Sequence, residues 1–116
     1  MKKFIYLLLF ILIVGCGVEK YGSGVDKNVA KVSVKDVFIN TTYQGKIVNL
    51  EGTITTQCAS NGCWFFLKDD TGQIFIDLAT KGFALPQRQG KKATVTGTVS
   101  FGQNGVFIIA HGVELK

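Results

Sequence analysis

The 116-residue chain contains one histidine, His111. A hydrolytic triad needs a histidine base between a nucleophile and an orienting carboxylate, and neither a nucleophile nor a carboxylate pair stands beside His111. That scarcity argues against hydrolytic catalysis, and the chain is expected to be non-enzymatic. C-x-x-C is also missing: the cysteines are Cys16, Cys58 and Cys63, so the last two are spaced C-x4-C, and nothing nearby obviously lowers a thiol pKa. No apolar run reaches the ~20 residues of a spanning helix. Charge of one sign is scarce as well. Without Lys2 and Lys3 the chain has 11 basic and 8 acidic residues, a net charge of +3, too small to argue for a polyanionic partner. The basic residues Lys46, Lys68, Lys81, Arg88, Lys91 and Lys92 are scattered, which disfavours single-stranded nucleic acid as a ligand.

Lys2 and Lys3 precede an unbroken apolar run over residues 4–14, and Ile13-Val14-Gly15-Cys16 follows with small residues before the cysteine. The arrangement is that of an export signal. The tetrapeptide resembles the lipobox of bacterial lipoproteins. The resemblance implies cleavage after Gly15, lipidation of Cys16 with diacylglycerol and a further acyl chain such as palmitate, and residence in the cell envelope on a membrane anchor. Gly17 replaces the aspartate that favours inner-membrane retention in Gram-negative lipoproteins. The implied location is the periplasmic side of the outer membrane, or the outer face of the cell membrane in a Gram-positive host. Residues 1–15 are then a signal peptide.

Some hundred residues remain, enough for one small core. Residues 16–30 mix Gly, Ser, Asn and charge without periodicity and read as an acylated, flexible tether. Ser33 and Asp36 have the spacing of a capping box, and Val34, Val37 and Phe38 would share one face of a short helix, with a strand as the alternative. From Gly45 onward the period is two. Val48, Leu50, Ile54 and Cys58 alternate with Asn49, Glu51, Thr53, Thr55 and Gln57, and Gly52 suggests a bulge or bend. Residues 63–68 and 73–79 make two strands around Asp69-Asp70-Thr71-Gly72. Residues 93–101 and 106–113 make two more around Gly102-Gln103-Asn104-Gly105.

Five strands, a meander followed by a hairpin, suggest closure into a small barrel, because closure removes exposed edges. Over residues 31–116 the pattern resembles the OB-fold, carried by Gly45-Lys46-Ile47-Val48-Asn49-Leu50-Glu51-Gly52, by Leu67-Lys68-Asp69-Asp70-Thr71-Gly72 and by Gly90-Lys91-Lys92-Ala93-Thr94-Val95-Thr96-Gly97. Cys58-Ala59-Ser60-Asn61-Gly62-Cys63-Trp64 resembles the C-x-x-x-G-C-W signature of a functionally uncharacterised family of bacterial envelope OB-fold domains. The expected fold is all-β, a five-stranded Greek-key barrel with a short N-terminal helix. Between strands three and four, Gly82, Pro86 and Gly90 leave room for a turn rather than the usual long helix.

With residues 59–62 as a four-residue loop, alternation sets Cys58 opposite Cys63, Thr56 opposite Phe65 and Ile54 opposite Leu67, all facing inward. Opposed antiparallel residues lie within disulfide range, and the envelope is oxidising, so a Cys58–Cys63 disulfide is expected. The alternatives are a copper or zinc site using Cys58, Cys63 and His111, or a thiol-redox accessory role. No cofactor is implied otherwise. Trp64, Phe66 and Phe75 fall on the outward face and are the candidate ligand-binding residues, for an envelope protein, peptide or glycan. The competing reading has residues 34–38 or Phe83-Ala84-Leu85-Pro86 covering these rings as ordinary core.

Overall fold

A computed structural model describes residues 18–59 and 62–116. The leader, Cys16, Ser60 and Asn61 lie outside the described residues. Among the described residues six strands, β1 Glu19–Gly22, β2 Ile47–Gln57, β3 Trp64–Lys68, β4 Gln73–Asp77, β5 Lys92–Gly102 and β6 Gly105–Leu115, accompany one α-helix, α1 Val34–Ile39. The sheet order is β1-β6-β4-β3-β2-β5, and a further β5–β6 ladder closes β2 to β6 into a barrel. Every ladder is antiparallel except β4–β6, which is parallel and pairs only Ile76 with Ile108 and Asp77 with Ile109. This is the closed five-stranded barrel that the alternation predicts, with the OB-fold architecture that the resemblance implies, and with a single 3-10 turn, Ala79–Lys81, following β4 in place of a long helix.

The inward residues of the strands fill the barrel, with Leu50, Ile54, Phe65, Leu67, Ile76, Val95 and Ile108 fully buried. Two different devices close its ends. At one end, α1 inserts Val34 and Val37 into the core. The capping box is present: Ser33 Oγ accepts the Asp36 N–H at 3.1 Å, and Asp36 Oδ2 accepts the Ser33 N–H at 3.2 Å. Phe38 departs from the expected face and is 48% exposed. At the other end, the loop after β4 inserts Leu85. Its seat is Gly62, whose φ of 60° favours glycine and whose carbonyl accepts the Leu85 N–H at 3.0 Å. A Cβ there would lie 1.8 Å from the Leu85 carbonyl oxygen.

Two expectations are corrected. First, the ladder is not unbroken through β2. Ile54 pairs with Leu67, but Thr56 pairs with Phe66 and Gln57 with Phe65, because a bulge inserts one extra residue. One extra residue reverses parity. Thr56 is therefore exposed and Gln57 is only 4% exposed. Inside, Gln57 Nε2 donates to the Pro86 carbonyl at 3.0 Å and Gln57 Oε1 accepts the Arg88 N–H, which fastens the Leu85 loop to the barrel. Second, the stretch read as a tether belongs to the fold from Glu19 onward. β1 pairs with β6 from Glu19↔Leu115 to Gly22↔Gly112, and Glu19 forms a two-pronged ion pair with Arg88, at 2.9 and 3.1 Å. The following segment lies over Asn49, whose Nδ2 donates to the Asp26 and Val29 carbonyls at 2.7 and 3.1 Å. That cover explains why Asn49, on the outward set, is buried.

Candidate functional site: an aromatic groove at the barrel seam

β3 and β4 form a tight hairpin whose register sets Phe66 directly opposite Phe75 and Trp64 opposite Asp77. Inward Phe65, Leu67, Ile74 and Ile76 fix the hairpin on the core, so alternation turns Trp64, Phe66 and Phe75 outward together. The three rings pack on one another, with centroids 5.9 Å apart for Trp64 and Phe66, 5.5 Å for Trp64 and Phe75 and 5.5 Å for Phe66 and Phe75. These separations suit favourable edge-to-face and offset contacts. A fourth ring, Phe107 of β6, meets Phe75 edge-on at 6.5 Å across the β4–β6 seam. All four are half-buried rather than sealed. Leu85 goes into the barrel and Phe83 packs against the core, while α1 contributes Phe38 to the rim of the aromatic surface.

Beside Phe66, Phe75 and Phe107 lies a groove of about 400 Å³. The amides Gln73, Gln103 and Asn104 edge it, and no charged residue lines it. Phe107 and Phe38 were not singled out from the sequence. For Phe107 the signal was present, since Ile108 is buried and its neighbour must then point outward. For Phe38 the signal was partial: residues 34–38 were a candidate cover for the rings, but helical spacing placed its side chain on the core face with Val34 and Val37.

Cys58 and Cys63 flank the turn between β2 and β3. The bulge removes them from direct ladder opposition, yet the turn brings Cys63 Sγ to 3.3 Å from Cys58 Sγ. The hydrogen bond to Cys58, followed by burial, raises the Cys63 pKa above the ordinary thiol value. His111 does not join them. It is the extra residue of a second bulge, where Thr96 pairs with Gly112 and Gly97 with Ala110, and its Nε2 lies 2.7 Å from Thr98 Oγ1. Burial, then the charge of Lys81, lowers its pKa. Among the described residues, no three His, Cys, Asp or Glu side chains gather in a way that could hold a metal ion. The set Cys58, Cys63 and His111 is therefore not assembled here.

No protein-family model matches the chain, and no curated protein matches it. Solved structures do. The chain is similar to the hypothetical protein ygiW from E. coli, at 18% identity and a TM-score of 0.57 over 83% of this chain and all of that one. It is also similar to a putative aspartyl-tRNA synthetase from Leishmania major Friedlin, at 12% identity and a TM-score of 0.61 over 82% of this chain and 22% of that one. A third likeness, to the telomere capping protein Ten1 from Saccharomyces pombe, has 15% identity and a TM-score of 0.47, over 68% of this chain and 74% of that one. At these identities the likenesses concern the fold.

Proposed function

We propose that this chain is a non-enzymatic OB-fold binding module of the bacterial envelope, held on a membrane by lipid at Cys16, which takes its ligand on the aromatic face of β3 and β4. One observation carries the reading. Four rings, Trp64, Phe66, Phe75 and Phe107, form a continuous, half-buried row on the outside of a barrel whose core is already full. An apolar surface left in water by a completed fold marks a contact site. The same strand face, with its neighbouring loops, is where OB-folds bind ligands, an argument from analogy.

The anchor gives the module a fixed post. Only Gly17 and Val18 separate Cys16 from β1. At about 3.3–3.6 Å per extended residue, lipidation there would keep the barrel within roughly 10 Å of the bilayer. Replacing Cys16 with Ser tests this half of the reading, which expects loss of the lipid mass and release of the chain from membranes. Trp64→Ala tests the other half. Capture of envelope components by the full chain should fall at least tenfold while Tm stays within a few degrees; unchanged capture, or collapse of Tm, would move the rings from recognition to core.

The adjacent sulfurs of Cys58 and Cys63 favour a second reading, a metal or thiol-redox accessory. Soft ions such as Cu(I) need few ligands. Stoichiometric copper or zinc on natively purified protein, lost in Cys58→Ser, would replace the first reading with this one.

A further inference from the structure

The groove lies where the barrel wall is incomplete. β4 and β6 pair at Ile76↔Ile108 and Asp77↔Ile109, but not over residues 73–75 of β4 or 105–107 of β6, and both unpaired stretches line the groove.

The direction of the backbone groups there follows from the flanking ladders. In an antiparallel pair, hydrogen-bonded and non-hydrogen-bonded residue pairs alternate. The Asp69 N–H bonds the Gly72 carbonyl and the Leu78 N–H bonds the Cys63 carbonyl, each at 3.0 Å. Counting between those two bonds, Ile74 and Ile76 turn their N–H and C=O toward β3. Gln73, Phe75 and Asp77 turn theirs toward the seam. On β6, the two-residue turn makes Gly102↔Gly105 a hydrogen-bonded pair, so Phe107 serves β5 while Val106 and Ile108 face the seam. Asp77 and Ile108 lie within the short parallel ladder. Gln73 and Val106 lie beyond it, with their backbone groups aimed into a slot walled by Phe66, Phe75 and Phe107.

Resting on the binding-module reading, we infer that the open β4–β6 seam receives an extended, uncharged, aliphatic segment of a partner polypeptide as an added strand. Strand edges recognise extended peptides through main-chain hydrogen bonds, and pockets for alternate side chains supply selectivity. The seam offers both: main-chain groups at Gln73 and Val106, and aromatic walls on one side. Charge matching narrows the occupant. The lining has no Lys, Arg, Asp or Glu, in a protein that carries them elsewhere, so a charge on the incoming segment would lose water without gaining a partner. The same neutrality fits a nucleic-acid backbone poorly. A sugar would satisfy the rings but would leave the strand edges unused.

The test is display selection of uncharged ten-residue peptides on the detergent-solubilised full chain, with affinities read by Trp64 fluorescence. Selected peptides should alternate aliphatic residues. Their affinity should fall at least tenfold with Gln73→Pro, which removes a seam-facing N–H that β3 does not use, and should hold within about twofold with Gln73→Ala, which keeps it. N-methylation of alternate peptide amides should abolish binding even if Gln73→Pro does not fold, and the amides of Gln73 and Val106 should gain protection from exchange. Failure to select any peptide, or peptides indifferent to N-methylation, overturns the inference. If a neutral oligosaccharide or an oligothymidylate then perturbs Trp64, strand addition falls and the binding module stands. If neither does, both fall.

Discussion

Asp69 Oδ2 accepts the backbone N–H of Val34 at 2.9 Å, joining the start of α1 to a hairpin 35 residues later in the chain. Asp69 Oδ1 meanwhile accepts the N–H groups of Thr71 and Gly72 and the Thr71 hydroxyl, and Thr71 Oγ1 accepts the Lys35 N–H at 3.0 Å. One carboxylate therefore shapes the β3–β4 turn and holds the helix that closes that end of the barrel.

Replacing Asp69 with Asn tests this. In either arrangement the amide NH2 of Asn would face an N–H donor, leaving Val34 or the turn unsatisfied, at a cost of about 1–3 kcal/mol. Burial alone would raise the Asp69 pKa; the Thr71 hydroxyl and the N–H groups of Val34, Thr71 and Gly72 outweigh it and lower the value. A carboxyl depressed in the folded state stabilises above its unfolded pKa of about 3.9 and loses that contribution as pH falls through the folded value. Urea unfolding should show the gap between the parent and Asp69→Asn intact at pH 7 and narrowing only below about pH 4.

His111 acts with the same sign in a higher pH window. Its folded pKa is lowered, first by burial and then by Lys81, so protonation favours the unfolded chain. Stability should fall as pH drops through the unfolded value of about 6.5 toward the folded one. NMR titration of the ring protons should place the folded pKa below 6.5, and His111→Gln should flatten stability across that window. A folded pKa above that value would refute the assignment.

Asn49 is the buried fastening for the strap after β1, donating to two carbonyls and accepting the Thr96 hydroxyl. Leu at this position keeps the volume and removes all three bonds. Unsatisfied buried groups cost about 1–3 kcal/mol each, so Asn49→Leu should lower stability by a few kcal/mol and expose residues 23–32 to proteolysis. Equal resistance to cleavage would show that β1 and the strap's backbone bonds, such as Ala30 C=O and Val32 N–H to the position-49 backbone, hold it without the side chain.

Gly62→Ala should be among the most damaging small substitutions. The new methyl group meets the Leu85 carbonyl in a left-handed conformation that itself costs about 1–3 kcal/mol. A large fall in the urea midpoint is expected, with the amide protection of Leu85 lost first.

The barrel was legible because its strands obey one period and because turns at residues 69–72 and 102–105 carry the residues that such turns need. The hidden parts depend on a single extra residue or on distant company. Nothing in Thr53-Ile54-Thr55-Thr56-Gln57 marks which residue bulges, so the inward turn of Gln57, and with it the docking of the Leu85 loop, could not be read. β1 escaped because Glu19-Lys20-Tyr21-Gly22 has no apolar alternation; its partner strand, rather than its own composition, makes it a strand. The aromatic trio was found by parity, whereas the seam depends on how far two strands diverge in space.

The first and last strands lie side by side, with Glu19 against Leu115. Tension drawn between those two points would act on the outermost rung alone and open the pair one rung at a time, like a zip, instead of loading every rung in parallel. Such a clasp resists thermal fraying through the Glu19–Arg88 pair and its ladder, yet yields gradually to a pull.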